Sequence, residues 1–277
     1  MPRPILAFVV LLLCLGGITR AEQKHAEAPL DALIQRSGLE AQLVHFEAGM
    51  QRGITLAHAS EQQIPPEELS RMRKAVAHAY AASSLRPALR AELAKTLSRA
   101  EIAAALAWLD SPTGRKLTAL EEKASMLEVQ PPLETAAKRG TPPLGAERAQ
   151  TLHGLIKATR ADEVAVTVLI ETAVGINEGL AVFGSESPSS TLATLRRGME
   201  AERAGLVAEM HEQSFVAFAL VYAEATDAEL ADLLRFARSP AGARYHEVTS
   251  RAFASTLGQA AKRLGGALAA PAAPGDI

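Results

Sequence analysis

Residues 100–117 read AEIAAALAWLDSPTGRKL, and residues 228–245 read AELADLLRFARSPAGARY. A helix-forming run followed by Ser-Pro-x-Gly therefore occurs twice, at a shift of 128 residues without a gap. The matched positions share their chemistry as well as their spacing: Glu101 and Glu229, Trp108 and Phe236, Ser111 and Ser239, Pro112 and Pro240, Gly114 and Gly242, Lys116 and Arg244. Such a recurrence in register indicates a tandem duplication.

A second match lies upstream, where the sequence at 49–54, GMQRGI, resembles GINEGL at 175–180. Chance similarity between two Ala-rich helices is the alternative to duplication, and the shared Ser-Pro-x-Gly disfavours it. In both segments a Gly-x-x-x-Gly spacing puts two small residues on one face of a helix. Because Arg52 and Glu178 are charged neighbours, we expect these faces to pack closely in a soluble domain and not as a membrane dimer.

The Ser-Pro-x-Gly element predicts a corner between two helices. A helix from about Ala100 to Leu109 ends there, and Ser111 is a suitable N-cap for the next helix, with Pro112 in its first position. Gly114 then falls in the first turn, where glycine costs ~1 kcal/mol relative to alanine. A close approach of the backbone at the corner would explain why glycine occupies this place in both copies.

Elsewhere the apolar residues are spaced three or four apart, as on one face of a helix, and not in the alternation of a strand. These stripes are Leu39, Leu43, Phe46 and Met50; Leu69, Met72, Val76 and Tyr80; Leu169, Ala173, Ile176 and Leu180; Phe215, Phe218 and Tyr222. The chain is also rich in Ala, Leu, Glu and Arg, which favour helices. The sequence therefore predicts an all-α fold of two tandem, similar helical bundles.

The boundaries follow from Pro, Gly and charge. Lys138 to Gly145 contains two prolines, which cannot continue a helix. We expect helical repeat 1 over 28–137, a linker over 138–147, helical repeat 2 over 148–264 and a flexible tail over 265–277. Smaller breaks are predicted at 63–66, 85–87 and 184–188, each of which contains proline.

Residues 1–21 have the pattern of a signal peptide. Arg3 precedes an apolar run from Ile5 to Leu15, and Thr19 and Ala21 are small residues at the cleavage positions. An uncleaved anchor is the alternative, but the run is shorter than the ~20 residues of a spanning helix. The single cysteine, Cys14, lies inside this segment, so the mature chain would contain no disulfide. We expect a periplasmic or secreted bacterial protein.

Composition excludes several classes of function. The 277 residues include 29 Lys and Arg against 31 Asp and Glu, so no basic field exists to hold a phosphate backbone. Aromatic residues make up 4%, too few for a platform that stacks bases. The most apolar later segment, Val164–Phe183, contains Glu171 and Glu178, which are costly in lipid. We therefore expect no nucleic-acid partner and no stable membrane span after cleavage.

At the repeated element the sequence resembles the bacterial domain-of-unknown-function family 2059, through an acidic residue, an aromatic residue, Ser-Pro-x-Gly and a basic residue. The resemblance is clearer in the second copy, because the first has Leu117 where the second has the aromatic Tyr245. Members of that family are typically exported proteins with small helical domains. The resemblance thus implies a periplasmic or secreted all-helical protein, and it carries no catalytic residues to transfer.

No motif predicts a reaction. His211-Glu212 and His246-Glu247 lack the second histidine of a helical zinc site, so each pair is interpreted as solvated. Glu121-Glu122-Lys123 is likewise interpreted as a solvated helix face, and Trp108 and Phe236 as core anchors. His45, His58 and His78 are not expected to be catalytic. We predict no catalytic residue, no cofactor and no metal.

Three functions are consistent with these patterns. The leading one is a non-enzymatic binding module of the bacterial envelope, whose partner is an envelope protein, a peptide or an apolar ligand held between helices. The first alternative is a hydrolase-type enzyme with a dispersed carboxylate site, drawn from Glu101, Glu229, Glu171 and Glu178. Against it, Glu101 and Glu229 also suit the first turn of a helix. The second alternative is a structural component of the envelope that oligomerises.

Overall fold

The computed structural model describes residues 29–60, 65–125, 144–181 and 188–270, and within these ranges every regular element is a helix. The prediction of an all-α fold is confirmed. The predicted signal peptide, 1–21, and Cys14 lie outside the described residues, as do 138–143 of the linker. The helices are α1 (29–36), α2 (Leu39–Ser60), α3 (Pro66–Ala79), α4 (Ala82–Thr96), α5 (Arg99–Leu109), α6 (Pro112–Ser125), α7 (Ala146–Thr159), α8 (Ala161–Ala181), α9 (Pro188–Ala201), α10 (Arg203–Val221), α11 (Asp227–Arg238) and α12 (Pro240–Ala269).

Both Ser-Pro-x-Gly elements form the predicted corner, the first between α5 and α6 and the second between α11 and α12. The Ser111 hydroxyl accepts a hydrogen bond from the backbone N–H of Gly114 at 2.9 Å, and Ser239 accepts one from Gly242 at 3.1 Å. The predicted close approach is also confirmed. A methyl group on Gly114 would lie 2.2 Å from the Trp108 carbonyl oxygen, and one on Gly242 would lie 1.9 Å from that of Phe236.

The largest core surrounds α12. Tyr245, Val248 and Leu257 of α12 belong to the same buried cluster as Leu85 and Leu93 of α4. Helix α12 comes from the predicted second copy and packs on helices of the first, so the units 28–137 and 148–264 share a core. Two smaller clusters lie apart from it, one among α6, α7, α10 and α11 and the other among α8, α9 and α10.

Helices α8 and α12 pack through glycines. A methyl group on Gly175 would lie 2.5 Å from the Gly258 carbonyl oxygen, and one on Gly265 would lie 2.0 Å from that of Ile176. The close packing predicted for the Gly175–Gly179 face is thereby confirmed. The predicted start of a flexible tail at 265 is wrong, because Gly265 is buried against α8 and the helix continues to Ala269. Residues 271–277 lie outside the described part of the chain.

Two local expectations, on the apolar stripe of α8 and on a chain break, are wrong. Leu169 and Leu180 of the predicted α8 stripe are 45% and 39% exposed, because α8 turns its glycines and Val166 inward instead. The predicted break at 85–87 does not occur. Pro87 lies inside α4, near its start, and the chain turns earlier, at Tyr80 and Ala81.

The same Gly-x-x-x-Gly spacing on α2 forms no close contact in the described structure. A methyl group on Gly53 would meet nothing within 4 Å, and Gly53 is exposed. The expected close packing at Gly49–Gly53 is therefore wrong.

By length and composition alone, α8 is apolar enough to cross a membrane, with a mean hydropathy of 1.5 over its best window. In the described structure α8 contacts α9, α10 and α12, and 28% of that window is buried. Core helices of soluble proteins can be equally long and apolar, so the hydropathy of α8 does not by itself indicate a transmembrane helix.

Candidate functional site

A groove of about 850 Å³ runs between α8 and α12, and it is also lined by the end of α7 with the turn that follows and by Arg196 of α9. Its floor consists of small and apolar residues, among them Val174, Gly175, Ala254 and Gly258. Gly175 and Gly258, which allow α8 and α12 to approach each other closely, have no side chains and therefore also leave space in the groove. Clefts of this size are the usual binding places for small ligands.

His246 lies on the groove side of α12, and its imidazole is largely buried against Phe236 and Tyr245. Burial lowers the pKa of His246 to about 4, so the ring is neutral near pH 7. Its Nε2 atom is buried and has no hydrogen-bond partner among the described residues. The interpretation of His246-Glu247 as a solvated pair is therefore wrong for His246. A buried polar atom without a partner is unusual and calls for a ligand or a water.

The walls of the groove carry charges of both signs in pairs. Glu171 accepts two hydrogen bonds from Arg196, at 2.7 and 3.0 Å, and Glu178 pairs with Lys262. At the other end Arg251 pairs with Glu247 at 2.7 Å. A fourth pair, between Arg160 and Glu163, lines the same cavity. The groove therefore presents cations and anions side by side above an apolar floor.

The four carboxylates considered for catalysis fall into two separate places. Glu171 and Glu178 both line the groove, and each is bound to a cation. Glu101 and Glu229 lie away from it, as the capping residues of α5 and α11. The backbone N–H of Ser98 donates to Glu101 at 2.7 Å, and that of Thr226 donates to Glu229 at 2.8 Å. The expectation that these two suit the first turn of a helix is confirmed.

Glu101 and Glu229 also connect the two repeated elements. Arg244 Nε donates to Glu101 at 3.0 Å, and Lys116 Nζ donates to Glu229 at 2.7 Å. Between these ion pairs the rings of Trp108 and Phe236 stack, with centroids 4.8 Å apart and planes 8° apart. We call these six residues the reciprocal interface. The acidic residue of each repeated element binds the basic residue of the other element, and the two aromatic residues stack on each other.

The reciprocal interface makes the stability of the fold dependent on pH. Hydrogen bonds from Lys116 and then from the Thr226 backbone lower the pKa of Glu229 from 4.5 to about 2. A carboxylate with a folded pKa below its unfolded pKa stabilises the fold above the unfolded value, and the contribution is lost as pH falls towards the folded one. We expect the Tm difference between the wild type and Glu229→Gln to be largest near pH 7 and to shrink between pH 4.5 and 2.

Thermal melts followed by circular dichroism measure this difference. Glu212→Gln, an exposed position in the middle of α10, is the control and should show no such trend. A difference for Glu229→Gln that stayed constant down to pH 2 would contradict the assigned role of this carboxylate.

Glu121 is not the solvated residue that the sequence suggests. The Tyr222 hydroxyl donates a hydrogen bond to Glu121 Oε1 at 2.6 Å. Burial raises the pKa of Glu121, although that hydrogen bond acts in the opposite direction. This carboxyl supports the contact between α6 and the end of α10 and does not face the groove.

A contact between two histidines 58 residues apart was not predictable from any motif in the sequence. His153 Nδ1 and His211 Nε2 lie 3.0 Å from each other, and His211 Nδ1 lies 2.9 Å from an oxygen of Asp162. His211 is therefore not simply solvated beside Glu212. Among the described residues, no three His, Cys, Asp or Glu side chains form a complete set of metal ligands.

Comparison with known proteins shows that part of the chain is similar to one bacterial family. Residues 83–139 match the family described as an uncharacterized protein conserved in bacteria, DUF2059. The resemblance predicted from the sequence is confirmed, and the matched segment includes the first copy of the repeated element, although we expected the second to be the clearer one. No curated protein and no solved structure gives a match.

Proposed function

We propose that the chain is an exported, non-enzymatic binding protein of the bacterial envelope, whose ligand is a short peptide held in the groove between α8 and α12. The family match supports a bacterial protein, and the signal-like pattern of residues 1–21 supports export. The observation that carries the binding role is the unpartnered Nε2 of His246, buried at the wall of an 850 Å³ groove.

The chemistry of the groove favours a peptide over a purely apolar ligand. A neutral imidazole donates or accepts one hydrogen bond, and a peptide backbone offers both a donor and an acceptor. Charged pairs line both ends of the groove, so they can exchange partners with the amino and carboxyl groups of a short peptide. The small residues of the floor leave space for compact side chains.

A second candidate is a hydrolase-type enzyme that uses Glu171 and Glu178, and the presence of both in one groove favours it. A general acid requires a carboxyl group that holds a proton near neutral pH. Glu171 and Glu178 are instead held in ion pairs with Arg196 and Lys262, so neither carboxyl group faces the groove without a partner. We therefore rank binding above catalysis.

We further infer that the reciprocal interface records a duplication. A two-fold contact between identical chains is self-complementary, so each of its contacts occurs twice. Glu101–Arg244 and Glu229–Lys116 are such a pair of contacts, with their positions related by the 128-residue shift. This interface supports two fused copies of one element packed against each other. Both ion pairs form within one chain, so the residues of this surface already have partners. This disfavours oligomerisation of the protein through the reciprocal interface.

Replacing His246 by phenylalanine is the direct test of the binding role. Phenylalanine fits a site already lined by Phe236 and Tyr245 but offers no hydrogen bond. We expect affinity for the tetrapeptide Lys-Ala-Ala-Glu to fall about tenfold or more, because a lost hydrogen bond to a buried partner costs about 1–3 kcal/mol. Calorimetry measures the affinity, and the ¹⁵N signals of the histidine rings report whether His246 meets the peptide.

His78→Phe is the matched control, since His78 is exposed on α3 away from the groove. It should leave the affinity unchanged, and both variants should keep the wild-type Tm. Equal affinity in wild type and in a folded His246→Phe would overturn the proposal. Hydrolysis of the peptide, lost in Glu171→Gln, would favour the enzyme instead.

A further inference from the structure

Three side chains outside the groove form a connected row on helices α7, α8 and α10. Asp162 stands in the first turn of α8, His211 on α10 and His153 on α7. The rings of His153 and His211 are parallel within 3°, with centroids 5.2 Å apart. Phe215, one turn beyond His211, stacks on His153 at 4.3 Å. Packing thus holds both imidazoles in defined positions.

Hydrogen bonding fixes which nitrogen of His211 faces its neighbour. Asp162 accepts a bond from the backbone N–H of Glu163 at 2.8 Å through one oxygen, and its other oxygen lies 2.9 Å from His211 Nδ1. A carboxylate is an acceptor, so His211 carries its proton on Nδ1 and keeps a lone pair on Nε2. Metal-binding histidines commonly have this arrangement, with the distal N–H bound to a carboxylate.

We propose that His153 and His211 bind one divalent transition-metal ion, Cu²⁺ or Zn²⁺, through His153 Nδ1 and His211 Nε2. Metal–imidazole bonds of about 2.0–2.1 Å place neighbouring ligand nitrogens roughly 3 Å apart. The two nitrogens lie 3.0 Å apart in a hydrogen bond, in which His153 Nδ1–H donates to the lone pair of His211 Nε2, and the ion would replace this proton at a similar separation of the two nitrogens. His153 must then carry its proton on Nε2, and a small rotation of its ring directs the Nδ1 lone pair to the ion.

The surroundings favour an accessible site with open coordination positions. His153 is exposed and His211 is about one-third exposed, so an ion reaches both nitrogens from solvent. Water completes the coordination, because two protein nitrogens do not fill a tetrahedral or square-planar shell. Among first-row divalent ions, nitrogen sites hold Cu²⁺ most tightly. We therefore expect Cu²⁺ to bind more tightly than Zn²⁺.

The test is a calorimetric titration of the full chain, without a histidine tag, with CuSO₄ or ZnCl₂ at pH 7.4. The expected result is one equivalent of metal, with affinity reduced at least tenfold in His153→Ala and in His211→Ala. Asp162→Asn should weaken binding roughly 10–100-fold, as is typical when the carboxylate behind a metal-bound histidine is removed. His78→Ala, an exposed histidine elsewhere, should bind like the wild type.

Electron paramagnetic resonance of the Cu²⁺ complex gives a second readout. We expect coupling to two imidazole nitrogens in the wild type and to one in either single variant. Circular dichroism checks that each variant is folded. An absence of binding, or a folded His153→Ala/His211→Ala double variant with wild-type affinity, would overturn the proposal.

Discussion

Replacing Gly179 by alanine is expected to destabilise the fold by about 3 kcal/mol, the upper end of what overpacking usually costs. The added methyl carbon would lie 2.1 Å from the Lys262 carbonyl oxygen and 2.5 Å from the Gly266 nitrogen. Both are backbone atoms of α12, so a side-chain rotation cannot relieve the contact. The helices must separate, and the core around α12 loses packing. Urea unfolding followed by circular dichroism measures the change in free energy.

The chain supplies a matched control in Gly53, which holds the corresponding place in the upstream match of Gly-x-x-x-Gly. Gly53 is helical, and a methyl group there would meet nothing within 4 Å. Gly53→Ala should therefore stabilise the protein by up to ~1 kcal/mol, the difference in helix propensity. If both substitutions changed stability in the same direction, close packing would not be what distinguishes the two glycines.

These two glycines also mark the limit of what sequence predicts about the fold. The corner at Ser239 and Gly242 was predictable because capping and the close approach to Phe236 involve residues at most six positions apart in sequence. The Gly-x-x-x-Gly spacing correctly predicted a face suited to close packing at Gly175, and it failed at Gly49. The difference depends on the glycines of a partner helix: α12 presents Gly258 and Gly265 to α8, more than eighty residues away in sequence.

The candidate site was less predictable than the fold, for the same reason. His246 differs from an exposed histidine only because Phe236 and Tyr245 pack around it. The contact between His153 and His211 requires α7 and α10 to lie side by side. The spacing of apolar residues predicts which face of a helix is buried, but it does not predict which other helix packs against that face. The reciprocal interface did leave a signal, because acidic, aromatic and basic residues recur together at one shift.

The stack of Trp108 on Phe236 provides the second large effect. Removing either ring should destabilise the fold by about 2–3 kcal/mol, somewhat below the usual 3–5 kcal/mol for large aromatic residues because both are half-buried. Since the rings contact each other, the double variant Trp108→Ala/Phe236→Ala should cost about 1 kcal/mol less than the sum of the single losses. Urea unfolding of the four proteins gives this coupling energy.

Leu206→Ala is the control for that cycle, because Leu206 packs in the separate cluster of α8, α9 and α10. Its effect should add to that of Trp108→Ala within about 0.5 kcal/mol. Additive losses for Trp108 and Phe236 would mean that the two elements fold without depending on their shared contact. A coupling near 1 kcal/mol would instead show that the rings stabilise each other, as the self-complementary contact of two fused copies requires.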